Sequence, residues 1–95
     1  MKPSAYLVNT SRGPIVDEDA LLKALQNHKI AGAGIDVYSE EPLPVGSPFR
    51  TLDNVLLTPH MGYVATNNIS RMYSDAAEDI AAFLDGNPVR VLNNN

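Results

Sequence analysis

Apolar side chains recur along the chain with two periods, and the change from one to the other separates strands from helices. Ala5-Tyr6-Leu7-Val8 is an unbroken apolar run closing on Asn9 and Thr10, the pattern of a parallel strand buried on both faces. Asp17-Glu18-Asp19 then precede Ala20, Leu21, Leu22, Ala24 and Leu25. That order supplies an N-cap candidate, an acidic first turn and an apolar helical face, with His28 and Lys29 expected in the last turn. Ala31 to Val37 is a second strand of small residues, which lets a helix or a ligand approach the backbone closely. Pro42, Pro44, Gly46 and Pro48 interrupt every regular pattern between Tyr38 and Leu52, which predicts a loop of restricted φ angles. A third strand resumes over Asn54 to Thr58.

After Pro59-His60-Met61-Gly62 the period lengthens. Ile69, Met72, Tyr73, Ala76, Ile80, Phe83 and Leu84 fall at helical spacing. The spacing predicts a helix of about 20 residues, roughly 30 Å long. Thr66 is the expected cap at its start, and Gly86 followed by Pro88 is the expected stop. Val89 to Leu92 is expected to form a short edge element, and Asn93, Asn94 and Asn95 to fray. Strand, helix, strand, loop, strand, helix is an α/β order, with about three parallel strands and a right-handed first crossover. In such sheets ligands bind beyond the carboxyl ends of the strands. Thr10-Ser11-Arg12, Asp36 and Thr58-Pro59-His60 all follow strand ends.

Composition narrows the chemistry. With 95 residues, 44% of them apolar, the chain builds one small domain that buries about two-thirds of its unfolded surface. A formal net charge of −4 argues against binding a phosphate backbone, so nucleic acid is not an expected partner. The absence of cysteine excludes disulfides and thiolate sites, and suits a reducing cytoplasm. No apolar run approaches the roughly 18 residues of a membrane span. A soluble protein without membrane partners is expected. Two histidines in unrelated contexts do not make a metal site, and Ser11 is not in a Gly-x-Ser-x-Gly elbow.

Arg12 precedes Gly13-Pro14, a pair that turns the chain and leaves the guanidinium at the sheet rim, where its planar fork suits a carboxylate. A surface arginine, or a structural ion pair to Asp17 or Glu41, accounts for the residue type equally well. The polar groups of Asn9, Thr10 and Ser11 suit a ribose or nicotinamide, although capping or turn formation explains Thr10 and Ser11 equally well. His60 follows Pro59 and precedes Met61-Gly62, so its imidazole is aimed; histidine is the residue type suited to proton exchange with a carbonyl. A structural hydrogen-bonding histidine is the plainer alternative. A carboxylate on the other ring nitrogen would favour the chemical role. Of Glu40 and Glu41, the latter is preferred for its position beside Pro42, and Glu40 is expected to be solvated. Asp36 either accepts from a carboxamide or caps the following loop. His28 has no catalytic role in this reading.

Three motifs, Met1-Lys-Pro-Ser-Ala-Tyr-Leu-Val-Asn-Thr-Ser-Arg-Gly-Pro-Ile-Val-Asp-Glu18, Gly34-Ile-Asp-Val-Tyr-Ser-Glu-Glu-Pro-Leu-Pro44 and Leu57-Thr-Pro-His-Met-Gly62, together resemble the D-isomer-specific 2-hydroxyacid dehydrogenases. The resemblance covers nearly the whole chain. It implies a partial Rossmann-like sheet, the second half of a dinucleotide-binding domain. By resemblance, Arg12 binds the substrate carboxylate and carbonyl, His60 is the acid/base, and Glu41 orients and tunes His60. Thr10, Ser11, Arg12, Asp36, His60, Met61, Gly62 and Tyr63 would line the nicotinamide side of NAD, with NADP equally compatible. The formate dehydrogenase branch has glutamine where Glu41 stands, so the chain is more similar to the 2-hydroxyacid branch.

The departure from the family pattern lies in the cofactor's other half. No Gly-x-Gly-x-x-Gly occurs among these residues, and the family's substrate-binding domain is not represented either. Residues 1 to 95 are therefore expected to form the C-terminal part of an NAD-binding domain, acting on a small 2-hydroxy or 2-keto acid in the intact enzyme and inactive alone. An alternative is a non-catalytic module. A half-sheet exposes an edge and apolar faces, which favours a dimer, a larger homo-oligomer or pairing with a complementary fragment. A corepressor-like role, found in one branch of the family, has no specific support in these residues.

Overall fold

The computed structural model describes residues 1–93; Asn94 and Asn95, where fraying was expected, lie outside the described residues. The chain divides into two compact units, Met1–Gly62 and the residues from Tyr63 onward.

The first unit is a three-stranded sheet with one helix. Strand β1 is Tyr6–Asn9, helix α1 is Glu18–Gln26, strand β2 is Gly32–Ile35 and strand β3 is Val55–Leu57. Short 3₁₀ turns at Gly13–Ile15 and Pro48–Thr51 interrupt the connections, the second within the expected loop. The strands are parallel in the order β1-β2-β3. Val8 stands opposite Gly34 and Gly34 opposite Leu56, while Asn9, Ile35 and Leu57 form the next row. Alternation therefore sends Leu7, Ala33, Ile35, Val55 and Leu57 to one face. There they pack with Leu21, Leu25, Ile30, Tyr38 and Phe49. Leu25 is wholly buried, and burying such a side chain contributes about 1.5–3 kcal/mol.

The other face corrects the expectation that β1 is covered on both sides. Tyr6 and Val8 are 72% and 70% exposed, and Leu56 on β3 is 70% exposed. An apolar run alone does not distinguish a strand covered on both faces from one covered on one face.

Asp17 caps α1 as expected, its Oδ1 accepting from the Ala20 N–H at 3.0 Å. The helix stops at Gln26, so His28 lies beyond the last turn and not within it. His28 takes the left-handed position, φ 50°. Its N–H donates to the Leu25 carbonyl and that of Lys29 to the Ala24 carbonyl, which closes the helix as glycine usually does.

The second unit is built on α2, Thr66–Leu84. Thr66 is inside the helix, not its cap. Ala65 holds that position with no side-chain bond, and Asn68 Nδ2 donates to the Tyr63 carbonyl instead. Gly86, at φ 79°, ends the helix, its N–H donating to the Phe83 carbonyl. Beyond Pro88 the expected edge element does not form: Val89 to Leu92 is not strand. Arg90 turns the chain back along the helix, pairing with Asp75, Glu78 and Asp79 on its polar side. No described helix is long and apolar enough to cross a membrane.

Candidate active site

Apart from Tyr63, which belongs to the second unit, the residues singled out from the sequence lie at or beyond the carboxyl ends of the strands, or in the loop that bears Glu41. Asn9, the last residue of β1, is buried, and its side chain organises the turn that follows. Its Oδ1 accepts from the Ser11 N–H at 3.2 Å, and its Nδ2 donates to the Arg12 carbonyl at 3.0 Å. Thr10, Ser11 and Arg12 are thereby displayed at the rim, all exposed. Among the described residues Arg12 enters no ion pair, so neither Asp17 nor Glu41 is a bonded partner. Its Nη1 donates to the Ser11 carbonyl at 2.7 Å. Gly13 explains the next step of the path. A methyl group there would lie 2.0 Å from the Tyr38 carbonyl carbon and 2.3 Å from the Ser39 nitrogen, so only glycine lets the two segments touch.

Glu41 and His60 meet directly, with Oε2 2.6 Å from Nδ1. The other oxygen, Oε1, accepts from the Tyr38 N–H at 2.9 Å, so both carboxylate oxygens are fixed. Neighbouring Glu40 is exposed. The turn carrying His60 is held from below by Asp36, which is buried at the end of β2. Asp36 Oδ1 accepts from the Thr58 hydroxyl at 2.5 Å and the Met61 N–H at 2.9 Å, and Oδ2 accepts from the Gly62 N–H at 2.9 Å. Asp36 does cap a loop, but it is the one after β3 that carries His60, 22 to 26 positions on, and not the loop that follows Asp36 directly. His60 sits at the apex in the left-handed region, φ 54°, a conformation that persists only where surrounding contacts over-determine it. Tyr38 completes the frame. Its buried hydroxyl lies 2.9 Å from the Ile35 carbonyl and 2.8 Å from that of Thr58, its single proton shared between two strand ends. Tyr63 falls in the second unit.

Residues 1–62 match the family model of the D-isomer specific 2-hydroxyacid dehydrogenase, NAD binding domain. The chain belongs to this family. It is 48% identical to the glyoxylate reductase of Thermofilum pendens over 86 residues, 90% of this chain and 25% of that protein. To the glyoxylate/hydroxypyruvate reductase B of Enterobacter agglomerans it is also 48% identical, over 90% of this chain and 27% of that protein. A solved acyclic imino acid reductase in complex with NADPH and D-Arg superposes with a TM-score of 0.90 at 34% identity, covering 98% of this chain and 29% of that one. The chain thus spans about a quarter of the length of the curated relatives it matches.

In this dehydrogenase-family domain the matched segment ends at Gly62, where the first compact unit also ends. Electrostatics follow from the hydrogen bonds. The bond to His60, then that from the Tyr38 N–H, hold the Glu41 carboxyl below its ordinary value, and Arg12 adds a smaller effect of the same sign. Glu41 is therefore the anion and Nδ1 of His60 carries the proton between them. The Thr58 hydroxyl and the Met61 and Gly62 amides likewise keep Asp36 ionised. Burial pushes the Tyr38 phenol up, so it remains a neutral donor. Beside the pair opens a cleft of about 450 Å³, walled by Pro42, Leu43, Leu57 and Pro59. Arg50 borders it with Nε and Nη2 donating to the Pro44 and Leu43 carbonyls. Among the described residues no cluster of three metal-ligating side chains exists.

Sequence reasoning read Asn9 only together with its polar neighbours and Gly13 only as part of the turn after Arg12, and it passed over Tyr38. Asn9 had a usable signal, a polar amide closing an apolar strand immediately before a proposed functional turn. Tyr38 figured only as the residue at the start of the proline-rich loop.

Proposed function

We propose that this chain supplies the nicotinamide-side half of an oxidoreductase that interconverts a small 2-keto acid and its D-2-hydroxy acid with NAD(H) or NADP(H). The observation that carries the reading is the Glu41–His60 contact at 2.6 Å, both carboxylate oxygens being held, in the same sheet-end cluster as Arg12. The residues fit the nicotinamide end of a dinucleotide: exposed polar groups at Thr10 and Ser11 and the Asp36 carboxylate lie at the ends of parallel strands. They do not fit the pyrophosphate end, which needs a glycine-rich turn.

A nicotinamide bound beside Thr10, Ser11 and Asp36 would supply hydride exchange with the substrate C2. Arg12 binds the substrate carboxylate through its planar fork and thereby fixes the orientation of C2. Because Nδ1 is engaged by Glu41, His60 exchanges its proton with the substrate oxygen through Nε2. In reduction the carbonyl oxygen takes that proton, leaving a neutral imidazole; in oxidation the hydroxyl returns it, and Glu41 stabilises the imidazolium. Thr10, Ser11, Met61, Gly62 and Tyr63 are assigned to the nicotinamide side, and Asp36 is assigned there in addition to its loop-capping contacts.

The test is to replace the corresponding 86 residues of the Thermofilum pendens glyoxylate reductase with this chain and follow NADH and NADPH oxidation with glyoxylate and hydroxypyruvate. Turnover is expected, falling by about 10²- to 10⁴-fold in His60→Ala. A folded hybrid that binds cofactor but does not turn over would refute the reading. The 95-residue chain alone is expected to be inactive for want of a phosphate-binding turn. Its open apolar face, Tyr6, Val8 and Leu56, supports a homo-oligomer or pairing with a complementary segment, and a monomeric mass by light scattering at micromolar concentration would count against this. The proposed compartment is the cytoplasm.

A further inference from the structure

Each proposed functional side chain has its own holder: Asn9 for the Arg12 turn, the Tyr38 amide for Glu41, and Asp36 for the His60 turn. None of these bonds joins the Arg12 segment to the Glu41 loop. Yet the spacing between those two segments decides whether one substrate can meet both groups.

Glu18 makes that connection. It is the first residue of α1, where a carboxylate is commonplace for dipole reasons alone. The capping position is already filled by Asp17, so Glu18 is not needed to cap the helix. Its Oε1 instead accepts from the Ser39 N–H at 2.6 Å, 21 positions further along the chain. That distance is short for an N–H···O hydrogen bond. Ser39 lies between Tyr38, whose N–H holds Glu41, and Glu41 itself. On the Arg12 side, Gly13 abuts the same Tyr38–Ser39 peptide so closely that no Cβ fits. Helix α1 is in turn seated on the sheet by the buried Leu21 and Leu25, so Glu18 pulls from a fixed point.

We infer that Glu18 is a positioning residue that clasps the Glu41-bearing loop onto the Arg12-bearing segment through the Ser39 amide. The inference deepens the oxidoreductase reading and rests on it for its kinetic consequence. The clasp itself is a property of the chain and is testable without turnover.

Two substitutions separate the hydrogen bond from the charge. Glu18→Ala removes the acceptor, whereas Glu18→Gln keeps an oxygen there and removes only the charge. In the 95-residue chain, amide exchange at Ser39 is expected to accelerate about tenfold or more in Glu18→Ala and by less than about threefold in Glu18→Gln. The Glu41 carboxyl, followed by NMR titration, is expected to move up toward its ordinary value in Glu18→Ala only. In the hybrid reductase, Glu18→Ala is expected to lower kcat about tenfold with KM changed less than about threefold, since Arg12 still binds the carboxylate while alignment is lost. Glu18→Gln should recover most of that kcat.

Unchanged Ser39 exchange and Glu41 titration in Glu18→Ala would overturn the inference, even if the variant melted at lower temperature. Equal damage from Glu18→Gln would also overturn it, by showing that the charge at the helix start matters and the bond does not. If the unsubstituted hybrid is inactive, the oxidoreductase reading fails instead, and the exchange and titration measurements still decide whether Glu18 holds the loop.

Discussion

Replacing Gly13 by alanine inserts a methyl group into the closest backbone approach of the site. The added carbon would lie 2.0, 2.2 and 2.3 Å from the Tyr38 carbonyl carbon, its oxygen and the Ser39 nitrogen, whereas ordinary contact begins near 3.4 Å. All three neighbours are main-chain atoms, so no side-chain rotation relieves the overlap. The two segments must part by about 1 Å or more, and overpacking of this kind typically costs about 1–3 kcal/mol. For a domain of this size that lowers the melting temperature by roughly 5–20 °C. The effect on turnover should exceed the effect on stability, because about 1 Å of misplacement between reacting groups can cost about a hundredfold. Circular dichroism melting of the 95-residue chain and kcat/KM of the hybrid reductase measure the two effects. A Gly13→Ala protein that melts within about 2 °C of the parent and keeps kcat/KM within about threefold would refute the argument that contact between these backbones sets the site.

Two further outcomes are expected. His28, left-handed at φ 50° where α1 closes, pays a conformational cost that glycine avoids. After allowance for the greater unfolded-state entropy of glycine, His28→Gly should stabilise the chain by about 0.5–1 kcal/mol in urea melts, and a loss of stability would show that the His28 side chain contributes a contact. Asp36 and Glu41 are both held below their ordinary values, 3.8 and 4.5, so their contribution is complete above about pH 5 and is lost as pH falls through and below those values. The melting temperature should therefore drop steeply on acidification below about pH 4.5, and Asp36→Asn or Glu41→Gln should flatten the decline; an unchanged slope in both variants would contradict the assignment.

The order of elements and their parallel pairing were legible because period and punctuation agree along most of the chain. Asp17, Gly86 and Pro88 marked helix ends through chemistry local to each end. Where the cause is distant, the pattern is silent. Tyr6 and Val8 have the composition of a doubly covered strand, but coverage of the second face depends on what packs there, which no alternation encodes. His28 resembled a last-turn cation because left-handed closure by a non-glycine residue has no local signature, and Thr66 resembled a cap because its residue type suits one. The Glu41–His60 contact was suggested by chemistry but not determined by spacing, since 19 positions and a proline-rich loop separate the two. Glu18 and Tyr38 went unnoticed for a related reason: their partners are main-chain groups, which no residue type announces.

That last property bears on how such a site diversifies. Ser11, Tyr38, Ser39, Met61 and Gly62 serve the framework through their backbone amides, and Arg12 through its carbonyl. A backbone amide is present whatever side chain it carries, proline excepted. At Ser11, Ser39 and Met61, these bonds alone therefore permit the side chain to change without dismantling the Arg12, Glu41 and His60 arrangement. Tyr38 and Gly62 are more constrained, one by its hydroxyl and the other by Asp36 lying 3.1 Å from where a Cβ would sit. Variation at the three permissive positions can therefore change the surface around the site while leaving that arrangement intact.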